Sequence, residues 1–238
     1  MNLKGKNILV AGGSSGIGLS VVHSLLKSEA NVFVISRTKP EDFPIQAVHL
    51  ELDVTGDLVP FQSFLPETLH GLVYAVGSIN LKPFGRLTAD DFLNDYRINV
   101  LGAAQLIQLS FKQLKNSGGS SIVLISTVAA KIGLPYHASV SAAKGAVEGL
   151  ALALASEFAA QQIRVNVVSP SLTDTPMAQN LLSSAEKRET SAKRHPLGRI
   201  GVPEDISSMI TFLLSDQSSW ITGQVIGIDG GLGNLKTN

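Results

Sequence analysis

No cysteine occurs in the 238 residues, which excludes disulfide frameworks, thiolate zinc sites, iron–sulfur clusters and cysteine nucleophiles together. Neither charge is in surplus. The 19 basic residues match 19 acidic ones, so the basic excess that non-specific binding to nucleic acid or an anionic membrane requires is missing. No apolar run approaches the ~18–20 uncharged residues of a membrane span. The nearest, Ala142 to Ala160, carries Lys144, Glu148 and Glu157. The apolar run after Met1–Lys6 stops at Gly12-Gly13, too short for a secretion signal and without a small-residue cleavage site. His23, His49, His70, His137 and His195 show no ligand spacing, and no metal site is expected. A soluble cytoplasmic protein is the expectation, with neither nucleic acid nor membrane as a partner.

What is present is an alternation. With 44% hydrophobic residues, the chain is long enough to bury a core without staples. Short apolar runs read as strands at Asn7–Ala11, Asn31–Ile35, Ala47–Leu50, Gly71–Val76, Ser121–Ile125, Ile163–Val168 and Gln224–Ile228. Helical-period segments separate them, for example Ile17–Ser28, and Gly56–Pro66 holds a stub of helix. Continuous apolar strands imply a sheet covered on both faces, and intervening helices imply parallel pairing. The reading is one α/β domain over residues 1–238, a Rossmann-like doubly wound layer with a seven-stranded parallel sheet and helices on both faces. Two helices, about Val100–Leu114 and Ala138–Ala160, look apolar almost all round. They bury a second face, either inside the monomer or against another subunit.

The first strand runs into Gly12-Gly13-Ser14-Ser15-Gly16-Ile17-Gly18 and then a helix. A strand–glycine turn–helix places free amides at a positive helix end, which suits a phosphate. Glycine lets a pyrophosphate approach the backbone closely. The same residues also fit the G-x-S-x-G elbow of a serine hydrolase. That elbow needs an oxyanion-hole loop ahead of it, and only eleven residues precede Gly12; phosphate binding is the better reading. The second strand ends in Ser36-Arg37-Thr38-Lys39. An acidic residue there would hold the ribose 2′-hydroxyl of NAD, whereas arginine accommodates the 2′-phosphate of NADP. Ser36 and Arg37 therefore favour NADP over NAD.

With these pieces the sequence resembles the short-chain dehydrogenase/reductase family over essentially its whole length. Besides the Gly12/Gly16/Gly18 loop, the matching segments are Leu52-Asp53-Val54, Arg97-Ile98-Asn99-Val100, Ser139–Lys144, Ile163–Pro170, Pro196–Asp205, Ile221–Gln224 and Asp229-Gly230-Gly231. The resemblance implies a nicotinamide cofactor, a small carbonyl or alcohol substrate, and a homodimer or homotetramer built on the two apolar helices. It implies that the loop residues Gly12, Ser14, Ser15, Gly16, Ile17 and Gly18 hold the phosphates. It places Asp53 and Val54 at the adenine, and Ala75 and Gly77 at the adenine ribose. Pro170, Thr173 and Thr175 would lie at the nicotinamide carboxamide and phosphates, and Lys144 at the nicotinamide ribose.

The family's catalytic group is Asn, Ser, Tyr and Lys. Its Asn matches Asn99 and its Lys matches Lys144; Thr127, a workable hydroxyl, stands at the Ser position. Val140 stands where the family has Tyr, and it has no proton to give. Smaller departures are Ala11 for threonine, Tyr74-Ala75-Val76-Gly77 for Asn-Asn-Ala-Gly, and Ser171 for glycine after Pro170. General acid catalysis contributes ~10²–10⁴-fold, so a substitute donor matters. His137, three residues before Val140 and seven before Lys144, shares their helical face and has a suitable unperturbed pKa. Tyr136 is the neighbouring alternative, and simple packing at the helix entry is the other account of both. The function expected is an NADP-dependent oxidoreductase with an atypical proton donor. The alternatives are a dinucleotide-binding sensor or scaffold that has lost its chemistry, and a serine hydrolase at Ser14. Met177–Arg194 reads as a helical lid over the cleft, and Trp220 as a packing residue before the last strand.

Overall fold

Alternate residues of each strand face opposite sides of a sheet, and here both sides are apolar. The computed structural model describes residues 2–236. Its strands are β1 (Asn7–Ala11), β2 (Asn31–Ser36), β3 (Val48–Glu51), β4 (Gly71–Tyr74), β5 (Ser120–Ile125), β6 (Ile163–Pro170) and β7 (Val225–Ile228). The helices are α1 (Gly16–Lys27), α2 (Val59–Phe64), α3 (Ala89–Tyr96), α4 (Gly102–Asn116), α5 (Ala138–Phe158), α6 (Ala185–Lys193) and α7 (Pro203–Leu214). One parallel sheet holds all seven strands in the order β3-β2-β1-β4-β5-β6-β7. Leu9, Leu72, Ile122, Leu124, Val165 and Val167 face α2, α4 and α5, where they join Phe61, Leu106 and Val147. Ile8, Val10, Val34, Val73, Val123 and Val168 face α1 and α7, where they join Val22, Leu25 and Ile210. This is the doubly wound α/β architecture expected.

The winding positions the site. The chain builds outward from β1 to β3, then returns to lay β4 against the other side of β1. Strand order reverses between β1 and β4, and the carboxyl ends of the strands open a crevice there.

Three expectations need correction. Trp220 is not a packing residue: it is 99% exposed, because in the turn before β7 the neighbouring Ile221 takes the inward position against the core. The segment Val100–Leu114 is not apolar all round, since Gln105, Gln108 and Lys112 form an exposed polar face. Its first residues are not regular helix either, because Arg97–Leu101 is a π-helical turn between α3 and α4. By contrast α5 does keep apolar residues outside. It buries Ala143, Val147 and Ala151 against the sheet yet leaves Leu152 62% exposed. The segment Ala138–Gln161 has the length and apolarity of a membrane span; here it is the helix that covers the middle of one sheet face.

Candidate functional site

The glycine turn fits tightly between neighbours. Gly12 has φ +81°, and a Cβ there would come 2.8 Å from the Ala75 carbonyl carbon at the end of β4. Gly16 has φ +52°, and its Cβ would meet the Thr175 side chain at 3.2 Å. A Cβ on Gly18 would lie 2.1 Å from the Gly12 carbonyl oxygen. The turn therefore presents bare backbone at the switch point, packed so closely on its neighbours that a side chain at these three positions would collide with them. Ser15 caps α1 in extended conformation with its hydroxyl making no cap bond, and the first turn holds no acidic residue. The first amide of α1 to find a main-chain acceptor is Leu19, donating to the Ser15 carbonyl at 3.1 Å. The amides ahead of it, including Ile17 and Gly18, are left for an outside acceptor, and the helix dipole favours an anion there. Ser14 is half-buried beside them.

At the end of β2, Arg37 and Lys39 are exposed while Ser36 is buried. The Ser36 hydroxyl donates to the Thr38 carbonyl at 2.8 Å and lies 2.7 Å from His49 Nε2. Its one proton is spent on Thr38, so His49 must donate to the Ser36 oxygen. Burial and the nearby Lys39 charge hold the His49 pKa below its usual value. Asp53 accepts from the Thr55 amide at 2.9 Å and hydroxyl at 2.7 Å. These bonds, with a smaller contribution from Arg37, hold its carboxyl below the ordinary range. Val54 is buried in the core beside it. Ala75 continues β4, its amide donating to the Ala11 carbonyl at 2.8 Å.

Asn99 sits in the π-helical turn and is fully buried. Such turns recur at functional sites because they re-aim a side chain. Tyr74 props this one from below, its hydroxyl donating to the Ile98 carbonyl at 2.5 Å; burial drives its pKa well above the usual phenol value. The Asn99 amide nitrogen donates to the Asp95 carbonyl at 2.8 Å and to Ser78 Oγ at 3.3 Å. Its Oδ1 is buried without a partner. Lys144 on α5 is buried, and its ammonium donates to the Ile125 carbonyl at 2.7 Å. Burial lowers its pKa to about 8, with Asp95 opposing the drop. A Cβ on Gly77 would lie 3.3 Å from Asn99 Oδ1 and 3.4 Å from Lys144 Nζ, so both polar atoms border one small space that glycine leaves open.

Thr127 caps a short helical turn, its hydroxyl accepting from the Ala129 amide at 3.3 Å. Ser126 beside it turns away and donates to Glu148 at 2.6 Å. Val140 lies one turn before Lys144 on α5 and is 6% exposed. His137 caps α5, its Nδ1 2.7 Å from the Pro135 carbonyl. A carbonyl only accepts, so Nδ1 carries the hydrogen and Nε2 is the free nitrogen. Tyr136 has φ +69° and its side chain is exposed.

The end of β6 closes the site. Pro170 pairs with Ile228 at its carboxyl end. Thr173 is buried, its hydroxyl donating to the Ser171 carbonyl at 3.1 Å, and Thr175 begins the helical turn Pro176–Leu182. That turn and α6 make up the segment read as a lid, and Arg188 ties it to Asp174 by two bonds of 2.6 and 3.1 Å. Ser171 lies 2.9 Å from Nε2 of buried His195, whose Nδ1 lies 2.8 Å from the Ser191 carbonyl. Sequence reasoning did not single out Tyr74, Ser78, Asp95 or the His49 and His195 pairings. Only the departures at Tyr74 and Ser171 gave a signal.

A glycine turn at the switch point of a doubly wound sheet defines an α/β protein of the Rossmann-like class. Comparison narrows it. The family model described as enoyl-(acyl carrier protein) reductase matches residues 11–233. The chain is 36% identical to a tropinone reductase homologue of Arabidopsis thaliana, over 97% of this chain and 80% of that protein. It is 32% identical to the 3-oxoacyl-(acyl-carrier-protein) reductase of Thermotoga maritima, over 98% of this chain and 99% of that one. A short-chain type dehydrogenase/reductase from Mycobacterium ulcerans superposes with TM-score 0.90 at 29% identity, covering 98% and 91% of the two chains. The structure of ElxO with NADP bound superposes with TM-score 0.88 at 28% identity, covering 96% and 98%. A variant of ElxO with phenylalanine in place of a tyrosine is solved with NADPH bound. The chain belongs to the short-chain dehydrogenase/reductase family.

Proposed function

We propose that this oxidoreductase uses NADP(H) and acts on a small carbonyl or alcohol, with a proton donor other than the family's tyrosine. The single observation that carries the reading is the cradle: three glycines whose Cβ atoms would strike the Ala75 backbone, the Thr175 side chain and the Gly12 carbonyl, beside helix amides with no internal acceptor. The residues fit the dinucleotide the family binds. The loop amides of Gly16, Ile17 and Gly18, with Ser14 and Ser15, would hold its phosphates. Asp53, Val54, Ala75 and Gly77 would line its adenosine half. Pro170, Thr173 and Thr175 would line its nicotinamide half.

Arg37 and Lys39 support NADP over NAD, because both are exposed cations at the end of β2 while the Ser36 hydroxyl is already spent on Thr38. Bound nicotinamide supplies or accepts the hydride. What the chain contributes is placement and protons. Lys144 keeps two of its three N–H donors for the ribose hydroxyls. Thr127 orients the substrate oxygen, Asn99 turns its acceptor Oδ1 to the space beside Lys144, and His137 delivers the proton from Nε2 when its ring is charged. ElxO with a tyrosine replaced by phenylalanine still holds NADPH, which supports cofactor binding that does not depend on a phenol. The exposed Leu152 on α5 supports a homodimer or homotetramer paired along that face.

The buried aliphatic side chain of Val140 favours one second reading, a dinucleotide-binding sensor or scaffold. The test is a fluorescence titration with NADPH and NADH, followed by turnover on a broad panel of aldehydes, ketones and alcohols. Tighter NADPH binding with turnover on any member, lowered at least tenfold in His137→Ala, is the expected result. NADPH binding without turnover on the whole panel selects the sensor, and no binding of either nucleotide overturns both readings.

A further inference from the structure

Asp95 lies on no motif of the sequence, yet it is fully buried. Its Oδ1 accepts from the Ser78 hydroxyl at 2.6 Å, and its Oδ2 has no partner. Burying a carboxylate is expensive unless it is paired, and a structure keeps one at such cost where its charge has a use.

Direction settles what it can do. The single Ser78 proton goes to Asp95, so the Ser78 oxygen can only accept, and it accepts from Asn99 Nδ2 at 3.3 Å. The other Asn99 amide hydrogen goes to the Asp95 carbonyl at 2.8 Å. Both amide hydrogens are thus consumed on one side. Asn99 Oδ1 is forced to the other, onto the space above Gly77 that it shares with Lys144 Nζ. A neutral residue at 95 that could donate would reverse this order, letting the amide turn over. The charges around Lys144 are few. Asp95 on α3 opposes the effect of burial on it, and Glu148 on its own helix is engaged with Ser126. Asp91, one turn before Asp95, is saturated by Lys82, Asn80 and Thr88.

We propose that Asp95 is the positioning residue of the site: through Ser78 it fixes which way the Asn99 amide faces, and its carboxylate is the counter-charge of Lys144. The inference deepens the nucleotide reading above and shares its site, but its first test needs no nucleotide. In the nucleotide-free full chain, the Lys144 side-chain resonance, assigned with Lys144→Met, is followed by NMR against pH in wild type, Asp95→Asn and Ser78→Ala. Circular dichroism confirms that each variant is folded. Wild type is expected to titrate near pH 8, and Asp95→Asn about one pH unit lower, the low end of what a nearby opposite charge contributes. Ser78→Ala is expected to leave that midpoint in place. In NADPH titrations across the same pH range, the alkaline loss of affinity should move down with Asp95→Asn. With Ser78→Ala affinity should weaken several-fold at every pH without such a move. An unchanged Lys144 midpoint in Asp95→Asn overturns the proposal. Should that variant fail to fold, Ser78→Ala decides: wild-type affinity there overturns the proposal equally. If wild type binds no NADPH while the Lys144 midpoint still depends on Asp95, the nucleotide reading fails and the charge pairing stands.

Discussion

Gly18→Ala sets two effects of known size against each other. Within a helix, alanine is favoured over glycine by ~1 kcal/mol, and on propensity alone the substitution stabilises. The structure reverses the sign. The new Cβ would sit 2.1 Å from the Gly12 carbonyl oxygen and 3.1 Å from the Gly13 Cα, far inside contact distance, and the atom in the way is backbone. Gly12 cannot retreat: it is held at φ +81°, donates to the Ile35 carbonyl at 2.8 Å and abuts the end of β4. Overpacking costs ~1–3 kcal/mol, and a backbone opponent puts this site at the upper end. After the propensity gain about 2 kcal/mol of destabilisation remains, which for a chain of this length lowers Tm by roughly 4–8 °C. The strain falls on the loop itself, so NADPH affinity should drop at least about tenfold, ~1.4 kcal/mol. Thermal unfolding followed by circular dichroism, with and without NADPH, measures both. A higher Tm together with undiminished NADPH protection would show that α1 does not press on Gly12, and the cradle argument would be wrong.

Lys144 has a lowered pKa in the folded state, so between about pH 8 and its ordinary value of 10.5 the unfolded chain holds more protons than the native one. Stability from this group is therefore least below pH 8 and recovers as pH rises through that window. Urea unfolding at pH 7 and pH 9.5 should show a rise in wild type relative to Lys144→Met; parallel behaviour of the two would contradict burial as the cause. Leu152 is exposed on a face of α5 that also bears Gly149 and Ala153. Leu152→Glu should shift the sedimentation profile toward monomer while leaving the circular dichroism spectrum intact, and an unaltered profile would remove α5 from the subunit contact.

Much of the scaffold was legible. Each strand was read to within two residues at its ends, the first without error, because strands buried on both faces are written as unbroken apolar runs, such as Ile8–Ala11 and Ile122–Ile125. The glycine turn was legible too, since a backbone held at φ +81° or pressed against a carbonyl admits little but glycine. Trp220 and the polar face of Val100–Leu114 were misread for one reason. Composition says how apolar a segment is, while only its neighbours decide which residues turn inward.

The sequence by itself determined the doubly wound class and the glycine turn, because these depend on local periodicity and spacing, while Asn99, Thr127, Val140 and Lys144 were marked out only by the resemblance to the family. Only tertiary structure could bring Ser78, Asp95 and Asn99 into one hydrogen-bonded chain beside Lys144. Those residues lie on three separate elements, and the lysine's lowered pKa arises from what packs around it. A buried aspartate one turn before Asn99 reads, in the sequence, like any polar residue on a surface helix; it is the fold that removes its water and gives its charge a partner.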